Sequence, residues 1–318
     1  MTTTLAPAPA TTRSIRGVEA WAWATLAFFV VVVLEGAVVR LTSSGAGCGD
    51  HWPLCNGEVL PHHPRLATVI EFAHRSLTGI SSAMFALLVA WTFRATAKRH
   101  PARRAAILAG ILLLSEAALG AILVLGHYVE KNASAARVLV QGVHFTNTLL
   151  LLAATTAVAV LLRPVPSTYR WRRSARAPMT LALLATIVTG ATGSVAALAD
   201  TIFPSPSLQA AIAADFASTS PLLMRMRWIH PAASALLVVA CLWMYRICRA
   251  DDRRTMSRLI AGNLLAQMVI GVANVLLLAP AWLQVLHLLG ADVFWITLVA
   301  LAVPLLWSQP LQSSAAVA

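Results

Sequence analysis

The sequence predicts an all-α integral membrane protein, with eight transmembrane helices in two pseudo-symmetric four-helix bundles and both termini cytoplasmic. Three observations carry this. The 318 residues are 58% hydrophobic and 11% charged, a composition of the membrane class. Eight apolar stretches are each long enough to cross a hydrocarbon core of ~30 Å, which takes roughly 20 helical residues. Basic residues concentrate in alternate loops, as the positive-inside rule requires.

A polar Pro/Thr-rich tail over 1–19 comes first. It is too long, and lacks the small-residue cleavage site, for a cleaved signal peptide. The apolar stretches follow near 20–40, 69–93, 106–126, 138–162, 179–199, 227–247, 259–279 and 283–307. They divide into an N-terminal half over 20–162 and a C-terminal half over 179–307. A basic linker over 163–178 joins the halves, and a tail over 308–318 closes the chain. Arg94, Lys98, Arg99, Arg103 and Arg104 share one loop, and Arg163, Arg170, Arg172, Arg173 and Arg176 share the next loop but one. Arg246, Arg249, Arg253, Arg254 and Arg258 share a third. With Arg13 and Arg16 in the tail, 17 of the 24 basic residues lie on one side. The net charge of +12 is therefore topological, facing cytoplasm and anionic lipid, and no nucleic-acid partner is expected.

The halves overlay. Ala109-Gly110 and Glu116…Gly120 in helix three match Ala261-Gly262 and Gln267…Gly271 in helix seven, and Glu35-Gly36 matches Thr189-Gly190. Equal helix number and equal topology make this a parallel repeat about an axis along the membrane normal. Four histidines occupy matching places, His74 and His144 in the first half, His230 and His287 in the second. Each lies within the first two turns of a helix running from outside to inside, hence in the outer leaflet. A lone intramembrane histidine is as readily a hydrogen-bonding group between helices as a ligand. Four at equivalent positions point to two bis-histidine sites, and two facing imidazoles in a helical bundle suit a heme iron.

The first outer segment is Arg40-Leu-Thr-Ser-Ser-Gly-Ala-Gly-Cys48-Gly-Asp50-His51-Trp52-Pro53-Leu-Cys55-Asn-Gly57. Cys48 and Cys55 face the oxidising side, where a disulfide persists. A structural bridge, a redox-active pair and a thiol that transiently bonds heme all fit this segment. In Glu71-Phe-Ala-His74-Arg75, Glu71 shares a helix face with His74 and with Arg75. It reads either as an interfacial ion pair or as a carboxylate able to move protons beside the first site. The second half has Arg227-Trp-Ile-His230-Pro231 and no acid, which suggests one reactive site and one electron-transfer site. Glu35 and Asp292 are plausible polar neighbours of a cofactor, Glu116 reads as a structural hydrogen bond, and Cys241 and Cys248 read as packing residues. His51, His62, His63, His100 and His127 read as solvated. The segment Leu208–Phe216 reads as a short helix on the membrane surface.

The chain resembles the heme A synthase family. The resemblance rests on Glu35-Gly-Ala-Val-Val-Arg40-Leu-Thr-Ser-Ser-Gly, the Cys48…Trp52-Pro-Leu-Cys55-Asn-Gly loop, Glu71-x-x-His74-Arg75 and Gln284-Val-Leu-His287-Leu. It implies a multi-pass protein of the bacterial cell membrane with heme sites toward the extracytoplasmic side. The activity it implies is oxidation of the C8 methyl of heme O to the formyl group of heme A, by successive hydroxylations, for aa3-type oxidases. His74 and His144 would bind the heme O substrate, with Glu71 as catalytic acid. His230 and His287 would hold a heme b cofactor, their histidines being the iron ligands. Cys48 and Cys55 match the family's outer cysteine pair. Implied partners are heme O, the heme O synthase that makes it, membrane lipid, an electron acceptor of unknown identity and a second copy of the chain. The competing readings are a non-enzymatic diheme b-type electron carrier, which predicts symmetric sites, and a heme transporter or chaperone.

Overall fold

In the computed structural model, the described residues are 12–163, 175–248 and 254–307. Most of the N-terminal tail, most of the basic linker and the tail over 308–318 lie outside them, and so does the side chain of Cys248. Ten helices form among the described residues: α1 (Thr12–Leu41), α2 (Leu66–Ala95), α3 (Pro101–Leu125), α4 (Ala135–Leu161), α5 (Arg176–Ile202), α6 (Leu208–Phe216), α7 (Leu222–Arg225), α8 (Ile229–Cys248), α9 (Arg254–Leu276) and α10 (Ala281–Trp307). Among the described residues eight spans are long and apolar enough to cross a membrane, the sixth running from α7 into α8 over Leu222–Ile247, and each matches one expected stretch. In lipid a helix satisfies every backbone group internally, which is why these apolar runs fold as helices.

Their ends follow local chemistry. Ser134 and Ser207 cap α4 and α6 by accepting the backbone N–H of Arg137 and Ala210. Pro101 opens α3, and the His100 ring accepts the Ala102 N–H at 3.2 Å. Burial first and Arg103 second hold the His100 pKa below its usual value, keeping that nitrogen free to accept. So one of the histidines expected to be solvated is a helix cap. The Leu208–Phe216 segment is a helix, as expected, with no buried residue.

The two halves make the same packings. In the first, α1 packs on α2 and α4, and α3 on α2 and α4. In the second, α5 packs on α8 and α10, and α9 on α8 and α10. Between halves α4 meets α5 and α10, and α1 meets α10. Apart from a smaller buried cluster of Val138, Val195, Leu198, Ala199 and Leu223 at the end that carries the Cys48–Cys55 loop, the main close-packed core fills the opposite end of the bundle. It draws on Val18–Phe29 of α1, Phe85–Ala95 of α2, Leu149–Leu161 of α4 and Phe294–Leu305 of α10. None of the four histidines belongs to it, and all four are half-buried in the other end, hereafter the disulfide end.

Candidate functional site

His74 of α2 faces α1. Its Nδ1 is 2.8 Å from Glu35 Oε2, an ion-pair contact without the alignment of a hydrogen bond. Gly36 makes room for the ring, since a Cβ there would stand 3.1 Å from His74 Cε1. His144 of α4 faces α3, with its Nδ1 3.5 Å from Glu116 Oε1. The Glu116 carboxylate also accepts the Asn147 amide at 2.5 Å and the Thr148 hydroxyl, both one turn beyond His144. Each histidine of the first pair thus has a carboxylate beside Nδ1, the contact that orients an imidazole ligand and makes it more basic. Glu35 is expected from the sequence as a polar neighbour of a cofactor, and Glu116, whose repeat partner is Gln267, as a structural hydrogen bond. For Glu116 the expected structural hydrogen bond is present, and the contact with His144 is additional.

The second pair is built on the same plan with different chemistry. His230 Nδ1 of α8 lies 3.0 Å from the Thr189 carbonyl oxygen of α5, and His287 Nδ1 of α10 has no hydrogen-bond partner. Among the described residues neither ring has a carboxylate within ion-pair distance. The ring centres are 6.3 Å apart, with the planes at 82°. Imidazole nitrogens bind metals at about 2 Å, so two rings on opposite sides of one ion have centres roughly 6 Å apart. This donor set and spacing fit an iron held between His230 and His287.

Glycines support these rings too. A Cβ on Gly193 would stand 2.9 Å from His230 Cε1, and one on Gly271 would stand 3.4 Å from His287 Cε1. Gly193, not Gly190, is therefore the counterpart of Gly36, 37 residues before its histidine as Gly36 is 38 before His74. Gly190 instead lies against Phe145 and Leu149 of α4. The third helices match as the sequence suggests. Glu116 meets Asn147, three residues after His144, and Gln267 lies against Gly290, three after His287. Gly193→Ala should push the His230 ring aside and perturb the second site alone. Visible spectra of the purified variant with bound iron porphyrin check this, and an unchanged spectrum would refute the packing argument.

The cysteine loop is fastened to α2 beside the first pair. Cys48 and Cys55 form a buried disulfide. Glu71, 3% exposed, accepts the Cys48 N–H at 2.8 Å and pairs with Arg75 at 2.5 Å. Arg75 in turn donates to the His51 and Leu54 carbonyls at 2.6 and 2.5 Å. Thr68 donates to the Gly47 carbonyl at 2.7 Å. At the exposed tip, Glu58 accepts from His62 backbone and ring, which together lower its pKa. A Cβ on Gly47 would stand 2.4 Å from the Ala67 carbonyl carbon, backbone that cannot step aside. Gly47→Ala should therefore lift the loop and cost about 1–3 kcal/mol, the usual penalty of overpacking. A thermal melt of the detergent-solubilised protein measures it.

Two arginines tie the disulfide end together. Arg40 of α1 reaches the other half, donating to the Ala197 carbonyl at 2.6 Å, the Thr201 hydroxyl and the Gln284 amide oxygen at 3.0 Å. Arg227, three residues before His230, bonds Asp200 of α5 at 2.9 Å and Asp215 of α6 at 2.7 Å, so α6 is tethered to the start of α8. Asp292 is 1% exposed and neither of its oxygens has a hydrogen-bond partner. Cys241 is free and buried, as a packing residue. His51 and His63 are exposed, as expected, and so are His62, paired with Glu58, and His127, 3.5 Å from Asp50.

The pattern of the cytochrome oxidase assembly protein family matches residues 19–299, nearly the whole chain. The chain belongs to the heme A synthase family. A protein of Thermus thermophilus named protoheme IX farnesyltransferase is 39% identical over 287 residues, which cover 89% of this chain and 47% of that relative. The heme A synthase of Halalkalibacterium halodurans is 41% identical over 92 residues, 29% of this chain and 31% of its own. That of Geobacillus kaustophilus is 29% identical over 154 residues, 48% and 46%. The chain spans half or less of the length of each of these relatives. Membership in the family makes it a multi-pass membrane protein of heme chemistry, and the motifs that carried the resemblance all lie at the disulfide end.

Proposed function

We propose that the protein is a heme A synthase that oxidises the C8 methyl of heme O to a formyl group by successive hydroxylations, for aa3-type oxidases. The observation that carries this reading is the difference between two otherwise equivalent histidine pairs. Carboxylates stand at His74 and His144, while His230 has a carbonyl and His287 has nothing. An electron carrier with two like sites has no use for that difference. In this reading His74 and His144 bind heme O, and His230 and His287 hold heme b. Heme b, when bound, supplies a route for the electrons released. The two halves are pseudo-symmetric, both termini are cytoplasmic, and both sites lie toward the extracytoplasmic face of the bacterial cell membrane.

The chain's own residues do the rest. Glu35 and Glu116 orient the substrate-site imidazoles through Nδ1, leaving the other ring nitrogen to the iron. Glu71 is the proton-handling carboxylate, held by Cys48 N–H and Arg75 within one turn of His74. The disulfide loop, bonded to Glu71 and Arg75, shields that end of the site from water. A heme O synthase supplies the substrate, in keeping with the farnesyltransferase name of the relative that this chain matches over 47% of its length.

The test is to extract hemes from membranes that contain a heme O synthase, with and without this chain, and separate them by chromatography. Heme A only with the chain is the expected result. Heme O left unchanged beside a folded, heme-b-bearing chain would establish the electron carrier instead. Within the same assay, Glu35→Gln should lower heme content at the first site about 10–100-fold, as loss of a ligand-orienting partner does, and spare the second.

A further inference from the structure

The seven basic residues outside the cytoplasmic clusters are Arg40, Arg65, Arg75, Lys131, Arg137, Arg225 and Arg227. Of these, Arg75 and Arg227 are ion-paired, but Arg137 is not. Arg137 is 4% exposed, its Nε is buried without a hydrogen-bond partner, and its Nη1 donates to the Glu130 backbone carbonyl at 2.8 Å. The Glu130 carboxylate is within Coulombic reach, yet among the described residues no carboxylate forms an ion pair with Arg137. Arg40 lies close enough to repel it and is itself bonded to neutral acceptors.

This placement is costly three times over. A cation is buried without an ion-pair partner, set in the first turn of α4 where the helix dipole disfavours it, and set beside a second cation. Such a cost is tolerable where an anion arrives. Register says which site the anion belongs to. Arg137 is seven residues before His144, hence on the same face of α4 and about 10 Å nearer the disulfide end. The second half has Pro280 seven residues before His287, so the feature is confined to the first site.

We propose that Arg137, with Arg40 adding positive charge beside it, is a carboxylate-binding site above His144 that takes a propionate of the porphyrin bound between His74 and His144. The assignment rests on the substrate-site reading of those histidines. A propionate offers the planar oxygen pair that a guanidinium binds best, and it fixes which way round the ring sits. Orientation matters here, because only one of the methyl groups on the porphyrin rim is to be oxidised.

The test titrates hemin and its dimethyl ester into the solubilised full chain, following the absorption change of binding at the first site. Arg137→Gln should weaken hemin binding about 10–100-fold, the range for a lost hydrogen bond to a charged group, and leave the ester unchanged. Arg137→Lys should keep more of the hemin affinity than Arg137→Gln. Equal losses for hemin and ester, or no loss for either, would overturn the proposal, the first by marking a structural role and the second by leaving the charge to lipid phosphate. The underlying reading fails separately, if His74→Ala and His144→Ala leave the titration of the wild-type arginine protein unmoved.

Discussion

In the heme A synthase proposed above, Glu71→Gln should leave both hemes bound and lower heme A output by about 100-fold or more, the range for losing a general acid or base. The substitution is chosen against the structure. Glu71 has two jobs, accepting the Cys48 N–H and pairing with Arg75. A glutamine oxygen can still accept the Cys48 N–H, so the loop stays seated, while the group that gains and loses a proton is gone. Glu71→Ala removes both jobs. It should abolish heme A and also loosen the loop, exposing the disulfide to reductant and the freed thiols to a maleimide. If Glu71→Gln makes heme A at the wild-type rate while Glu71→Ala does not, Glu71 is a strut of the loop and proton transfer falls to another group. Glu35, 2.8 Å from His74, would then be the first candidate.

Much of the fold was legible because lipid leaves the chain few options. A run of some 20 apolar residues has to be a helix, and the positive loops order the topology. The four histidines stood out for the same reason, as groups that cost free energy unless used. The repeat was legible in outline, but its register was three residues off in α5. Gly190 and Gly193 share a helix face, so spacing alone does not say which supports His230. What surrounds each imidazole was not legible. Glu35 lies 39 residues before His74 and Glu116 lies 28 before His144, and only the packing of α1 on α2 and α3 on α4 brings them within 2.8 and 3.5 Å. The pairing of Arg227 with Asp215 depends on where α6 folds back, which hydropathy does not encode. Glu71 was noticed for its nearness to His74, whereas its bond to Cys48 depends on how a 24-residue connection returns to α2.

Alanine in place of each histidine should divide the heme content in two. If His230 and His287 hold heme b as proposed, His230→Ala or His287→Ala should strip the protein of it, because each would remove one of two iron donors from a site whose ring centres stand 6.3 Å apart. His74→Ala or His144→Ala should keep that heme b and reduce heme A output to background. The surroundings argue that these are losses of a ligand and not of the fold. Without His144, Glu116 still accepts from Asn147 and Thr148, and without His230, Thr189 remains inside the α5 helix. None of the four rings belongs to the close-packed core. Pyridine hemochrome spectra of the purified variants give the content, and membrane extracts give the product. Loss of all heme from His74→Ala would mean that the sites are not independent. Heme A made by His144→Ala at the wild-type rate would remove the first pair from the reaction altogether and leave the carboxylates beside it without a purpose.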